Sequence, residues 1–243
     1  VSSVPSVGQI LQQAASAASS LNYSGTITYQ RRGAVETSRI VHLFENGVEM
    51  ERITTLDGPP YEVIRVNEEL TCYLPDARLI RIEPRTGRQG FPSLLPRQMT
   101  TLAQQFTVKK LEIERVAGHD AQVWMFEPND EFRFWHKLWT ELKTGLWLRG
   151  RVLDESGKVI EEITFSDIRI GGRIDREQLK PTLVNTSPST SGSPVGMAVR
   201  RDDAARLNSR KMSCAFLAFS AARNASALLV GLFARLLMSL LKS

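Results

Sequence analysis

From Glu131 to Ile170, aromatic, Leu, Val, Ile and Thr residues alternate with charged ones on either side of Thr144-Gly145 and Ser156-Gly157. Period-two alternation broken by tight-turn residues predicts three antiparallel strands in a meander. In the first of them Phe132, Phe134, His136 and Leu138 share one face, and Arg133, Trp135, Lys137 and Trp139 share the other. Both faces carry apolar bulk. This predicts a sheet covered on one side and, on the other, either a second layer or an apolar cavity beneath snorkelling cationic stems.

The same grammar runs upstream. Ser6 to Leu21 has Val7, Ile10, Leu11, Ala14, Ala18 and Leu21 at three- and four-residue spacing, the stripe of an amphipathic helix. Strands are then predicted over Tyr23–Gln30, Val35–Phe44 and Val48–Leu56, with Asn46-Gly47 the strongest hairpin signal. Asp57-Gly58-Pro59-Pro60 forms a turn, because proline fixes φ and brings no donor to a ladder. Further strands follow at Tyr61–Asn67, Glu69–Leu74 and Ala77–Ile82, then a proline- and arginine-rich loop over Glu83–Pro96 and a short helix over Leu94–Phe106. Val108–Val116 and Ala121–Phe126 flank a Gly118-His119-Asp120 turn and lead into the meander. Runs of strands without βαβ alternation argue for an α+β fold: a strongly curved antiparallel β-sheet, a half-barrel, packed over helices.

Composition divides the chain. Residues 1–184 carry 23 Lys and Arg against 24 Asp and Glu, whereas residues 185–243 carry 8 against 2. A near-neutral body with scattered arginines offers no phosphate-tracking stripe, so nucleic-acid binding by the folded part is not expected. Residues 1–184 read as one domain and residues 185–195, rich in Ser, Thr, Pro and Gly, as a linker that builds no core. Residues 196–243 form an Ala-, Arg-, Ser- and Leu-rich tail in which no strand or turn pattern returns. Arg223 and Arg235 cut its apolar stretch into runs short of the roughly 20 residues that span a bilayer. A cationic amphipathic helix on a membrane surface is one reading of this tail; a poorly ordered native tail and an out-of-frame translation of GC-rich DNA are the others.

Candidate chemistry is sparse. His42, His119 and His136 lack metal-ligand spacing, so no metal site and no cofactor is expected. No nucleophile elbow or phosphate-binding glycine loop occurs, and the neighbours in Glu161-Glu162 and Asp154-Glu155 point apart on strands or turns, as solvated groups rather than an acid/base dyad. Catalysis is disfavoured, and no catalytic residue is assigned. Two cysteines, Cys72 and Cys214, make no disulfide framework. The aromatics carry the signal: Trp124, Phe126, Phe132, Phe134, Trp135 and Trp139, with Leu138, Leu146 and Leu148 beside them, are either ordinary core or the lining of a hydrophobic ligand cavity.

Three runs also carry a resemblance: LNYSGTITYQRRGAVETSRIVH (Leu21 to His42), LDGPPYEVIRVNEELTCYLPD (Leu56 to Asp76) and LWTELKTGLWLRGRVLDESGKVIEE (Leu138 to Glu162). In order and spacing they are similar to the MucB/RseB family of periplasmic sigma-factor regulators, over about residues 8 to 180. The resemblance implies an N-terminal domain like the lipoprotein carriers LolA and LolB, with an apolar interior. It also implies a non-enzymatic periplasmic role: binding the periplasmic domain of an anti-sigma factor of the RseA or MucA type and shielding it from regulated proteolysis. The implied second partners are lipid, lipopolysaccharide or lipoprotein acyl chains that relieve that protection, and the reading leaves room for a homo-oligomer. The alternative on the same cavity is a periplasmic lipoprotein or lipid carrier. Tyr61 stands where the family would have a basic residue, and nothing after Pro181 resembles the family's smaller C-terminal domain.

Overall fold

The computed structural model describes residues 4–31, 33–67, 69–74, 79–84 and 104–183. Helix α1 (Val7–Ser20) starts at a capping box, in which Ser6 Oγ accepts from Gln9 N–H at 3.3 Å and Gln9 Oε1 accepts from Ser6 N–H at 2.8 Å. Its buried stripe of Val7, Ile10, Leu11, Ala14 and Ala18 is the one the spacing predicts. Eleven strands are described: β1 (Tyr23–Arg31), β2 (Ala34–Glu45), β3 (Val48–Thr55), β4 (Glu62–Val66), β5 (Glu69–Leu74), β6 (Leu79–Pro84), β7 (Phe106–Val116), β8 (His119–Pro128), β9 (Trp135–Glu141), β10 (Trp147–Leu153) and β11 (Val159–Ile170).

They form one antiparallel sheet in the order β6-β5-β4-β3-β2-β1-β11-β10-β9-β8-β7. Two consecutive meanders, β1–β6 and β7–β11, therefore meet along a single seam, β1 against β11. Tight turns set the registers. Asn46 and Gly47 both adopt positive φ, 53° and 76°, and Ala117 and Gly118 do the same at 48° and 84°, the geometry whose twist matches paired strands. The β9–β10 turn is held by Glu141, whose carboxylate accepts from Lys143 N–H at 3.0 Å and Thr144 N–H at 2.7 Å.

Curvature has a local cause and a visible result. Register shifts interrupt the β1–β11, β11–β10, β10–β9 and β8–β7 ladders, and each such bulge bends a strand and adds twist. The sheet rolls far enough for His119 at the start of β8 to reach the carbonyl of Ile168 in β11, 3.3 Å away, although β9 and β10 lie between these strands in the sheet order. Helix α1 lies on the inner face, where the Tyr23 hydroxyl donates to Ala18 O at 3.3 Å. At its middle, Gln13 packs so close to Gly145 that a Cβ there would sit 2.8 Å from the glutamine side chain.

The outer face of β2–β4 carries a strap formed by residues 171–183. Ile174 and Leu179 pack on Val41, Leu43 and the partly buried Met50, and Arg176 pairs with Glu45 at 2.5 Å. The strap ends in a clasp. The carboxylate of Glu62, with no exposed surface, accepts from the backbone N–H groups of Thr182 at 2.8 Å and Leu183 at 3.1 Å and pairs with Arg52. Arg52 in turn donates to Gln178 O at 2.9 Å and Thr182 Oγ1 at 2.6 Å.

Three expectations need correction. The strand expected from Phe132 opens at Trp135, because Asp130 accepts from Phe132 N–H at 3.0 Å and pairs with Arg133, closing a side-chain turn that ends the alternation. Gln104 and Gln105 are helical as expected, but Phe106 opens β7 opposite Pro128 rather than closing that helix, and residues 94–103 of it lie outside the described residues. Glu161 is buried, not solvated: it faces Arg31 at 3.8 Å on the inner side while Glu162 pairs with Arg151 outside. The loop over 85–96, the linker, the tail and Cys214 also lie outside the described residues.

Candidate functional site

Alternation along β8, β9 and β10 sorts the expected lining residues onto two faces. Inner-face Phe126 and Leu138 are 1% exposed, and Leu146 and Leu148 wholly buried, in the cluster that also holds α1. Trp147 is drawn to the same face by the bulge beside it, which pairs it with Thr140, and its ring lies 5.1 Å from that of Phe165. Trp124, half buried, donates from Nε1 to Thr140 Oγ1 at 2.9 Å. Phe132 and Phe134, at 89% and 50% exposure, stand at the rim where β9 begins.

Trp135 and Trp139 belong to the outer face. Trp139 has no exposed surface there, because Lys137, Arg149 and Arg151 lie over its ring at 6.0, 5.4 and 5.3 Å from the centroid. Its Nε1 donates to Glu114 at 2.9 Å. Cationic stems thus cover the outer aromatic bulk, each stacked cation contributing about 0.5–1 kcal/mol at an exposed site. Seven of the nine expected residues sit within packed strands or the turn between them; only Phe132 and Phe134 offer open aromatic surface.

The inner face also holds polar groups that the alternation pattern conceals. Register places Tyr23, His42, Glu51 and Arg65 side by side across β1 to β4. The rings of Tyr23 and His42 stack at 4.7 Å. His42 Nδ1 faces Leu21 O at 2.7 Å and its Nε2 faces Glu49 at 3.1 Å, so both ring nitrogens meet oxygen. Arg65 donates to Glu49 at 2.6 Å and lies 3.7 Å from Glu51. Burial would raise the Glu49 carboxyl, but hydrogen bonds from His42 and Arg65 outweigh it and hold the group at about 2. Burial also pushes the Tyr23 hydroxyl up.

His136 is the other concealed group. It is 2% exposed, edge-on to Phe106 at 5.9 Å, and its Nδ1 has no hydrogen-bond partner. Burial pulls its imidazole down to about 3, so it stays neutral at physiological pH. The sequence places His136 on one strand face with Phe134 and Leu138, but alternation alone does not say that this face turns inward. Among the described residues no group of three or more His, Cys, Asp or Glu side chains is arranged to hold a metal ion.

The MucB/RseB N-terminal domain matches residues 6–183. The chain belongs to the MucB/RseB family. The sigma factor AlgU regulatory protein MucB of Pseudomonas aeruginosa is 30% identical over 167 residues, 65% of this chain and 49% of that protein. The sigma-E factor regulatory protein RseB of Haemophilus influenzae is 24% identical over 169 residues, 70% of this chain and 54% of that one. The chain thus spans about half the length of the curated relatives it matches. In structure it is similar to a chain of the Pseudomonas aeruginosa MucA/MucB complex, with a TM-score of 0.59 and 28% identity over 72% of this chain and 60% of that one. A crystal structure of MucB gives 0.58 and 27%, over 71% and 62%. These MucB/RseB relatives are regulatory proteins by name, and the family is one of regulators rather than enzymes.

Proposed function

We propose that this chain is a periplasmic regulator that binds the periplasmic segment of a membrane-anchored anti-sigma factor, protects it from regulated proteolysis, and releases it when an acyl-bearing ligand occupies the inner face of the sheet. The observation that carries the reading is the match of residues 6–183 to the MucB/RseB N-terminal domain, together with the likeness to MucB solved in complex with MucA(peri). Residues 1–184 form the unit that would do this. Competition follows from linkage: a ligand that prefers the unbound form weakens partner binding by the ratio of its two affinities. The inner face is closely packed, with Leu11, Leu138 and Leu148 each at 1% exposure or less, so an acyl chain enters by displacing α1 or side chains around it.

A protease-protection assay tests this. The full chain is mixed with the anti-sigma periplasmic segment and the protease that starts its degradation, with and without an acylated lipopeptide. Protection that the lipopeptide abolishes supports the regulator. Lipopeptide binding with no protection at any concentration would replace it with a lipid or lipoprotein carrier.

A further inference from the structure

We infer that His136 is the polar anchor of the ligand site: the group that hydrogen-bonds the hydroxyl, ester or amide head of an acylated amphiphile entering past Phe132 and Phe134, with its chain laid along β9 toward Leu138. The inference rests on the acyl-ligand reading above and adds a residue and a direction to it.

Three observations converge. Phe132 and Phe134 expose 89% and 50% of their surface immediately before β9 begins, an apolar entrance. Two residues beyond Phe134, inside β9 and on the inner face, is His136, and one step beyond it Leu138, with 2% and 1% exposure. The polar atom at the boundary between entrance and apolar floor, His136 Nδ1, is buried and unpartnered. Buried polar groups are nearly always satisfied, because an unmade hydrogen bond in an apolar setting forfeits the full desolvation cost. Leucine or phenylalanine would pack the same space beside Phe106 and Phe126 without that cost. A neutral imidazole offers one donor and one acceptor, which suits hydroxyl, ester and amide heads and gives no preference for a charged one. Across from Leu138 the register places Gly150, so β10 brings no side chain to that point of the floor. Deeper on the same face, Trp147 Nε1 is buried and unpartnered as well.

The test uses the full chain and two probes of equal acyl length, an N-acylated lipopeptide and a lysophospholipid, titrated by calorimetry against wild type, His136→Leu and His136→Gln. The expected result is that wild type binds at least one probe and His136→Leu weakens it about 3- to 10-fold, the loss of one hydrogen bond. Over the same comparison the thermal midpoint of His136→Leu stays equal or rises, and His136→Gln retains most of the affinity. Whichever probe binds more tightly identifies the source of the acyl chain. Wild-type binding with unchanged affinity in His136→Leu overturns the inference and leaves the acyl-ligand reading standing. Binding of neither probe to wild type overturns both. Independently of any variant, the His136 Nδ1 resonance in 15N-labelled wild type shifts on saturation with the binding probe; an unmoved resonance overturns the assignment.

Discussion

Replacing Glu62 by alanine opens the clasp that holds the strap to the outer face. The carboxylate has no exposed surface and accepts from Thr182 N–H, Leu183 N–H and Arg52. Its removal leaves Arg52, 16% exposed at its side chain, without its buried counter-ion. Breaking a buried pair on one side costs about 3–5 kcal/mol. Each backbone amide stranded without an acceptor adds about 1–3 kcal/mol. The sum is not reached, because residues 180–183 can peel from the sheet and give their amides to water while Ile174 and Leu179 stay seated on Val41 and Leu43. The expected global loss is therefore about 2–4 kcal/mol, with a larger local opening at the strap's end. Glu62→Gln is expected to fall close to alanine, since one oxygen becomes an amide whose protons face N–H donors. Urea denaturation followed by far-UV circular dichroism gives the global value, and native-state hydrogen exchange at Thr182 and Leu183 gives the local one. A loss below 1 kcal/mol with Thr182 and Leu183 still protected would refute the clasp.

Three further outcomes follow from the same geometry. Gly25 lies in the β1–β11 seam, where an added Cβ would sit 2.3 Å from Asp167 O and 3.0 Å from Ile168 Cα; Gly25→Ala is expected to cost about 3 kcal/mol, the upper range of overpacking, and a urea midpoint within error of wild type would contradict this. Trp139→Phe keeps a ring beneath Lys137, Arg149 and Arg151 and loses the bond to Glu114, for about 1 kcal/mol, whereas Trp139→Ala costs about 3–5 kcal/mol; equal losses in the two variants would mean that the buried ring contributes little. The Glu49 carboxyl is held at about 2, below its ordinary 4.5, so its stabilisation is complete above pH 4.5 and is lost as pH falls toward 2. The neutral His136, at about 3 against 6.5, likewise costs stability as pH falls from 6.5 toward 3. Glu49→Gln and His136→Leu should each flatten the acid limb of a stability–pH curve in their own window, and a curve parallel to wild type would remove that group from the account.

What could be read from the sequence follows from what is local. Turn residues such as Asn46-Gly47 impose their backbone geometry on two neighbours, and alternation depends on residues two apart, so strands, hairpins and the inner stripe of α1 were legible. Consecutive meanders also give a strand order that follows the chain, apart from the seam. The pairing of β1 with β11 joins residues about 140 positions apart, and no local pattern announces it. The same holds for the strap: Glu62 reads as an ordinary strand carboxylate until Thr182 and Leu183 arrive from 120 residues away. In the aromatic meander, period two separates Trp139 from Leu138 but cannot say which face curls inward, since both carry apolar bulk. Phe132 and Phe134 fitted the alternation by residue type, and the Asp130 turn that removes them from β9 depends on one side-chain hydrogen bond. His136 was legible as a position and not as a role, because its unpartnered nitrogen is a property of neighbours brought by β7, β8 and β10.

Mutual exclusion of an anti-sigma segment and an acyl ligand on one chain is the proposal to be tested most directly. Native mass spectrometry of the full chain with the anti-sigma periplasmic segment, titrated with acylated lipopeptide, measures this in a single experiment. The expected result is a binary complex with the segment, a binary complex with lipopeptide, and a segment-bound population that falls as lipopeptide rises, with little ternary species. A ternary complex that accumulates without loss of the segment would contradict it.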